Sequence, residues 1–171
     1  LQSCDDTVLK MMKRKYGSDL IEERLLKLKN SVGNMEYTAD IIVGFPGESE
    51  EMFQNSYNLI EKIGFSGLHI FQYSDRENTV ASRLENKIDS KVKKERADRL
   101  EELKKEMAII ERENYIGKSL KILIEEEIDG YLYGYSENYL RVKVKGDKKM
   151  INEIIEVKIT SLEKELLVAD E

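Results

Sequence analysis

At Gly117 the spacing of apolar residues changes from the three-and-four step of helices to a step of two. Downstream, Leu120, Ile122 and Ile124 alternate with polar neighbours. So do Tyr131, Tyr133 and Tyr135, then Leu140, Val142 and Val144, then Val157 and Ile159, then Leu166 and Val168, with Gly130, Gly134 and Gly146 as punctuation. Five short strands in about fifty residues predict a small β-barrel. The boundary is placed near residue 116, dividing the chain into segments 1–116 and 117–171.

Upstream of that point helix and strand patterns alternate. Residues 5–15 and 19–32 carry Val8, Leu9 and Met12, then Leu20, Ile21, Leu25 and Leu28, at helical spacing. The apolar run from Tyr37 to Val43 ends at Gly44 and predicts a buried strand. Glu48 to Ile63 has Met52, Phe53, Tyr57, Leu59, Ile60 and Ile63 on one stripe and stops at Gly64, after which Leu68-His69-Ile70-Phe71 reads as another strand. Two buried strands joined by a crossover helix imply parallel pairing, hence α/β layering with the working site at the strands' C-terminal ends. Lys91 to about Tyr115 is a long polar helix. Its Leu100, Leu103, Met107 and Ile110 predict one stripe packed on the α/β layer, the repeat being too short for a coiled coil.

Charge narrows the classes of partner. The chain of 171 residues has 28 basic and 34 acidic side chains, a net charge of −6, and no segment is a basic arm: residues 117–171 hold 9 basic against 12 acidic groups. Nonspecific nucleic-acid binders are usually basic, so any RNA contact here must be local. The apolar blocks are all far shorter than the ~20 residues that cross a bilayer, which predicts a globular chain with no membrane partner. One cysteine, Cys4, excludes an internal disulfide, and no secretion signal is visible, so a cytoplasmic location is expected.

Single motifs are ambiguous by themselves. Gly44-Phe45-Pro46-Gly47-Glu48 lies between a strand and a helix, where a phosphate cradle would sit, but Glu48, Glu50 and Glu51 at the helix start would repel an anion. His69, between Leu68 and Ile70, reads as a satisfied structural histidine. Tyr131, Tyr133 and Tyr135 share one strand face, a pattern that serves either to fill a small barrel or to stack on bases; at least one ring is expected in the core, with Tyr139 at the rim. Arg141, Lys143 and Lys145 share a face too, and are candidates for phosphate contact.

Together, three segments are more specific. Leu1-Gln2-Ser3 with Leu9, Met12, Arg14 and Tyr16, then Asp40-Ile41-Ile42-Val43-Gly44-Phe45-Pro46-Gly47-Glu48-Ser49-Glu50, then Phe71-Gln72-Tyr73-Ser74-Asp75-Arg76, resemble the radical-SAM methylthiotransferase family. The match covers nearly the whole chain. Gly134-Tyr135-Ser136-Glu137-Asn138-Tyr139 with Arg141 and Val142 resembles the subgroup that acts on threonylcarbamoyladenosine in tRNA. The resemblance implies an α/β fold in which residues 1–116 are the C-terminal part of a parallel (β/α) radical-SAM barrel. Residues 117–171 would be an RNA-binding TRAM domain, a small antiparallel, OB-like β-barrel. It also implies methylthiolation of carbon 2 of a modified adenosine beside the anticodon, with tRNA as partner. The implied cofactors are S-adenosylmethionine, cleaved to a 5′-deoxyadenosyl radical, and two [4Fe-4S] clusters.

Such clusters need cysteine thiolates. This chain has no C-x-x-x-C-x-x-C motif, and Cys4 stands where the family usually has glycine, so no metal ligand and no catalytic residue is expected in it. Leu1-Gln2-Ser3 reads as the end of a strand, and the chain as a piece of a longer one that holds the cluster segments. By analogy Gln2, Ser3 and Asp40 would hydrogen-bond ribose or the methionine amine, and Arg14 would pair with the methionine carboxylate. Phe71, Tyr73 and Ser74 would border the adenine, although the alternating strand pattern fits Phe71 and Tyr73 equally well as core residues. Arg76, Tyr139, Arg141, Lys143 and Lys145 would meet RNA. Glu77-Asn78-Thr79-Val80 departs from the family's glycine–threonine–proline turn. The alternatives are a methylthiotransferase for isopentenyladenosine or for a ribosomal-protein aspartate and, in another class, a non-catalytic RNA-binding module.

Overall fold

A computed structural model describes residues 1–32 and 37–170, and the chain divides into two compact units, Leu1–Met107 and Ala108–Glu171. The first contains α1 (Asp6–Met11), α2 (Ser18–Ser31), β1 (Thr38–Val43), α3 (Glu50–Ile63), β2 (Gly67–Gln72) and most of α4 (Ser90–Glu113). As the alternating pattern predicts, β1 and β2 pair in parallel, from Thr38 opposite Gly67 to Val43 opposite Gln72, with α3 as the crossover. The Ser49 hydroxyl caps α3 by accepting the Met52 N–H, and Gly64, in the left-handed region at φ +67°, ends it. Between these stops Phe53, Leu59, Ile60 and Ile63 are buried against Leu9, Ile41, Val43, Leu68, Leu100 and Leu103 in one core.

Three expectations change here. The strands are buried on one face only: Ala39, Ile41, Val43 and Leu68 enter the core, whereas Asp40 and His69, directly opposite each other, are exposed on the other face beside Ile42 and Phe71. An unbroken apolar run does not reveal how many faces are covered. His69 is therefore not a buried structural histidine. In α4 the core stripe stops at Met107, and Ile110 is 63% exposed. Finally, α1 ends at Met11, because Lys13 turns into the left-handed region (φ +57°) and the Arg14 N–H closes on the Leu9 carbonyl at 2.9 Å. Arg14 thus lies in the connection to α2.

The second unit is a closed barrel of β3 (Ser119–Ile128), β4 (Tyr131–Ser136), β5 (Arg141–Lys145), β6 (Ile154–Glu163) and β7 (Leu166–Asp170), in the order β3-β4-β5-β7-β6. All its pairings are antiparallel except β5 with β7, which is parallel, so the expected all-antiparallel barrel is corrected at that seam. The interior holds Ile122, Ile124, Leu132, Leu140, Val142, Val144, Val157, Ile159, Leu167 and Ala169. None of Tyr131, Tyr133 and Tyr135 is in it; β4 turns Leu132, Gly134 and Ser136 inward instead. A barrel this narrow is filled by aliphatic and small side chains, which leaves the large rings outside. The same one-residue phase shift puts Leu167 and Ala169 inside β7 in place of Leu166 and Val168. Gly134 lies within β4 and is not a break between strands.

Candidate functional site

At the C-terminal ends of β1 and β2 the open sheet face continues into a groove of about 450 Å³ lined by Gln2, Asp40, Ile42, Phe71, Tyr73, Ser74 and Arg76, among others. The segment before α1 reaches it because the Ile42 N–H donates to the Gln2 carbonyl at 2.9 Å, which lays Gln2 alongside β1. Phe71 is 53% exposed there, so it belongs to the groove and not to the core. Of the residues expected from sequence, Gln2, Asp40, Phe71, Tyr73, Ser74 and Arg76 are brought together. Ser3 and Arg14 are not among the lining residues. Ser3 is buried, its hydroxyl 3.0 Å from that of Ser56, and it accepts the Asp5 N–H; Arg14 is exposed.

Four residues to which sequence reading gave no role support this groove or the Gly44–Glu48 loop that follows β1. Phe45 packs edge-on against Tyr73, with ring centroids 5.3 Å apart. Lys93 donates to the Tyr73 carbonyl at 3.0 Å. Lys87 donates to the Asp75 carboxylate and to the Ser82 carbonyl (2.9 Å), and Asp75 in turn accepts the Tyr73 hydroxyl at 3.0 Å. Lys87, with help from the Tyr73 hydroxyl, holds the Asp75 carboxyl below its ordinary range. Arg96 is the fourth. It is 4% exposed, donates to the Glu48 carboxylate at 2.8 Å and to the Glu48 carbonyl at 3.1 Å, while the same carboxylate accepts the Gly44 N–H at 2.6 Å. Glu48 therefore closes the Gly44–Glu48 loop on itself, and its place at the helix start is structural. No sequence signal links Lys87, Lys93 or Arg96 to strand ends so far upstream.

In the barrel, the outer faces of β4 and β5 set Tyr131, Tyr133 and Tyr135 directly opposite Lys145, Lys143 and Arg141. Arg141 pairs with Glu126 and Lys143 with Glu163 at 3.1 Å, and the bond to Glu163 raises the Lys143 ammonium above its usual range. Tyr139 sits in the β4–β5 turn at φ +60° and is 87% exposed.

Cys4, the chain's single cysteine, is buried, and burial pushes its thiol up to about 12; one cysteine cannot supply the set of thiolates that holds an iron–sulfur cluster. Among the described residues no group of three His, Cys, Asp or Glu side chains converges as a metal site. No helix among them is long and apolar enough to cross a membrane.

No family model matches the chain. Among curated proteins it is 43% identical over 164 residues to the threonylcarbamoyladenosine tRNA methylthiotransferase MtaB of Bacillus subtilis, covering 93% of this chain and 36% of that protein. It is 39% identical over 170 residues to the protein of the same name from Thermotoga maritima, covering 99% of this chain and 39% of that one. A tRNA-2-methylthio-N(6)-dimethylallyladenosine synthase of Oceanobacillus iheyensis is 39% identical over 163 residues, covering 94% and 31%. The chain spans about a third of the length of these relatives.

Proposed function

We propose, from the identity it shares with tRNA methylthiotransferases over nearly its whole length, that the chain is a piece of such an enzyme, one that methylthiolates carbon 2 of N6-threonylcarbamoyladenosine beside the anticodon of tRNA, in the cytoplasm. The observation that carries this is the 43% identity, over nearly the whole chain, to a relative named for that nucleoside. Residues 1–116 serve as the C-terminal part of a radical-SAM (β/α) barrel, and residues 117–171 as an RNA-binding TRAM domain. The 39% identity to a dimethylallyladenosine synthase supports a second reading, with that nucleoside as substrate.

The groove at the ends of β1 and β2 suits S-adenosylmethionine. A sulfonium amino acid joined to a nucleoside needs a carboxylate for its ammonium group, hydrogen-bonding groups for ribose and an apolar border for adenine. Asp40, the Gln2 amide with the Ser74 hydroxyl, and Phe71 with Tyr73 supply these from one groove. When bound, the cofactor supplies the methyl group and the radical chemistry that activates carbon 2. Asp40 holds the ammonium group, Phe71 and Tyr73 limit water around the adenine, and Arg76, at the groove's edge, meets RNA. Ser3 and Arg14 stand outside this set. The single buried cysteine does not fit a cluster, and no step is assigned to one in this chain.

In the whole enzyme, Asp40→Asn is expected to weaken S-adenosylmethionine binding about tenfold, the size of one charge-assisted contact, and to leave tRNA affinity unchanged. Titration calorimetry measures both. Unchanged cofactor affinity would return Asp40 to the role of a solvated residue on an open sheet face.

A further inference from the structure

Resting on the reading of residues 117–171 as RNA-binding, we infer that the outer face of β4 and β5 takes unpaired nucleotides by stacking on Tyr131, Tyr133 and Tyr135, and does not grip the phosphates of a duplex. These rings lie outside the barrel core. Leu132, Val142 and Val144 fill the interior, while Tyr131 and Tyr135 stay 40% and 37% exposed. Leu123 and Ile128 of β3, opposite Tyr135 and Tyr131, extend the apolar surface sideways and are themselves exposed.

Charge argues against a duplex. A backbone-gripping surface needs unspent cations, because affinity comes from the counterions that phosphates release. Here Arg141 is matched by Glu126, Lys143 by Glu163, and Arg112, in the groove beside Tyr133 and Arg141, by Glu165. The cations lie over the rings as well, Lys143 at 4.4 Å from the Tyr131 centroid and Arg141 at 5.3 Å from that of Tyr133. With Arg141, Lys143 and Arg112 matched, and Lys145 and Lys164 in no ion pair among the described residues, the face is mainly an array of π-surfaces with guanidinium and ammonium edges, on which bases can stack. Residues two apart on a strand are about 6.8 Å apart, twice the ~3.4 Å rise of stacked nucleotides, so successive rings match alternate bases.

The test uses the 171-residue chain, a fluorescein-labelled single-stranded RNA dodecamer and the corresponding RNA duplex, with anisotropy titrations across a salt series. The expected result is binding of the single strand about tenfold tighter than the duplex. Tyr133→Leu and Tyr135→Leu should each weaken it about tenfold with the salt slope unchanged, and Tyr133→Phe should keep it. Equal or tighter duplex binding, or unaltered affinity in both leucine variants, overturns the stacking surface while leaving an RNA-binding barrel in place. Failure to bind either RNA overturns the RNA-binding reading itself. Self-association abolished by the leucine variants would assign the face to a second copy of the chain and overturn the inference.

Discussion

Arg96→Met is expected to lower the stability of the first unit by about 3–5 kcal/mol at neutral pH, a large fraction of what a domain of this size has to lose. The Glu48–Arg96 pair has both side chains at most 5% exposed. Removing the guanidinium leaves the Glu48 carboxylate buried with the Gly44 N–H as its remaining close donor. Burial already pushes the Glu48 carboxyl up with Arg96 in place; without Arg96 it rises further. The sign follows from linkage. A carboxyl whose folded pKa lies above its unfolded value favours folding below the unfolded value and loses that advantage as pH rises through the folded one. The deficit of Arg96→Met should therefore shrink on acidification from pH 7 towards ~4. Replacing both partners, Glu48→Leu with Arg96→Met, should cost less than the single change, since no charge is left stranded. Urea unfolding followed by helix ellipticity at the two pH values measures all three. A single variant as stable as the parent would mean that water reaches the pair.

Gly134→Ala is expected to cost the barrel more than about 3 kcal/mol. A Cβ at this position would lie 2.1 Å from the Leu123 carbonyl oxygen and 2.8 Å from its carbon. Both are backbone of the adjacent strand and cannot rotate away. Gly134 pairs with Ile124 where the β3–β4 register shifts at a bulge, so the two backbones approach closely there, next to the fully buried Ile124 and Leu132. Gly130 is the control. It needs its left-handed φ of +81° but has nothing within 4 Å of a built Cβ, so Gly130→Asn should cost less than about 1 kcal/mol. Thermal unfolding followed in the far ultraviolet compares them. Equal losses at both glycines would mean that turn conformation, not strand approach, sets the cost.

Those two sites mark where sequence reading stops. The parallel crossover was legible because the apolar stripe from Phe53 to Ile63 ends at a glycine between two apolar runs. The barrel was legible because its strands keep period two. The phase within a strand was harder. In β4 the tyrosines and the set Leu132, Gly134 and Ser136 alternate equally well, and barrel volume decides which enters. Gly134 looked like a break because a glycine kept for close approach and one kept for a turn look the same in a sequence. The groove lining was read from local segments, and Gln2, Asp40, Phe71, Tyr73, Ser74 and Arg76 do converge. Lys87 and Lys93, which support it, and Arg96, which holds the Gly44–Glu48 loop, come from beyond β2 and depend on how the chain returns across the strand ends, which local pattern does not encode.

The function proposed for the chain is tested most directly by the nucleoside content of tRNA from its source organism, measured by liquid chromatography and mass spectrometry after the gene encoding it is deleted. The account predicts that 2-methylthio-N6-threonylcarbamoyladenosine disappears, that N6-threonylcarbamoyladenosine accumulates in its place, and that the intact gene restores the modification. Persistence of that nucleoside, with or without loss of its 2-methylthio-dimethylallyl counterpart, would contradict it.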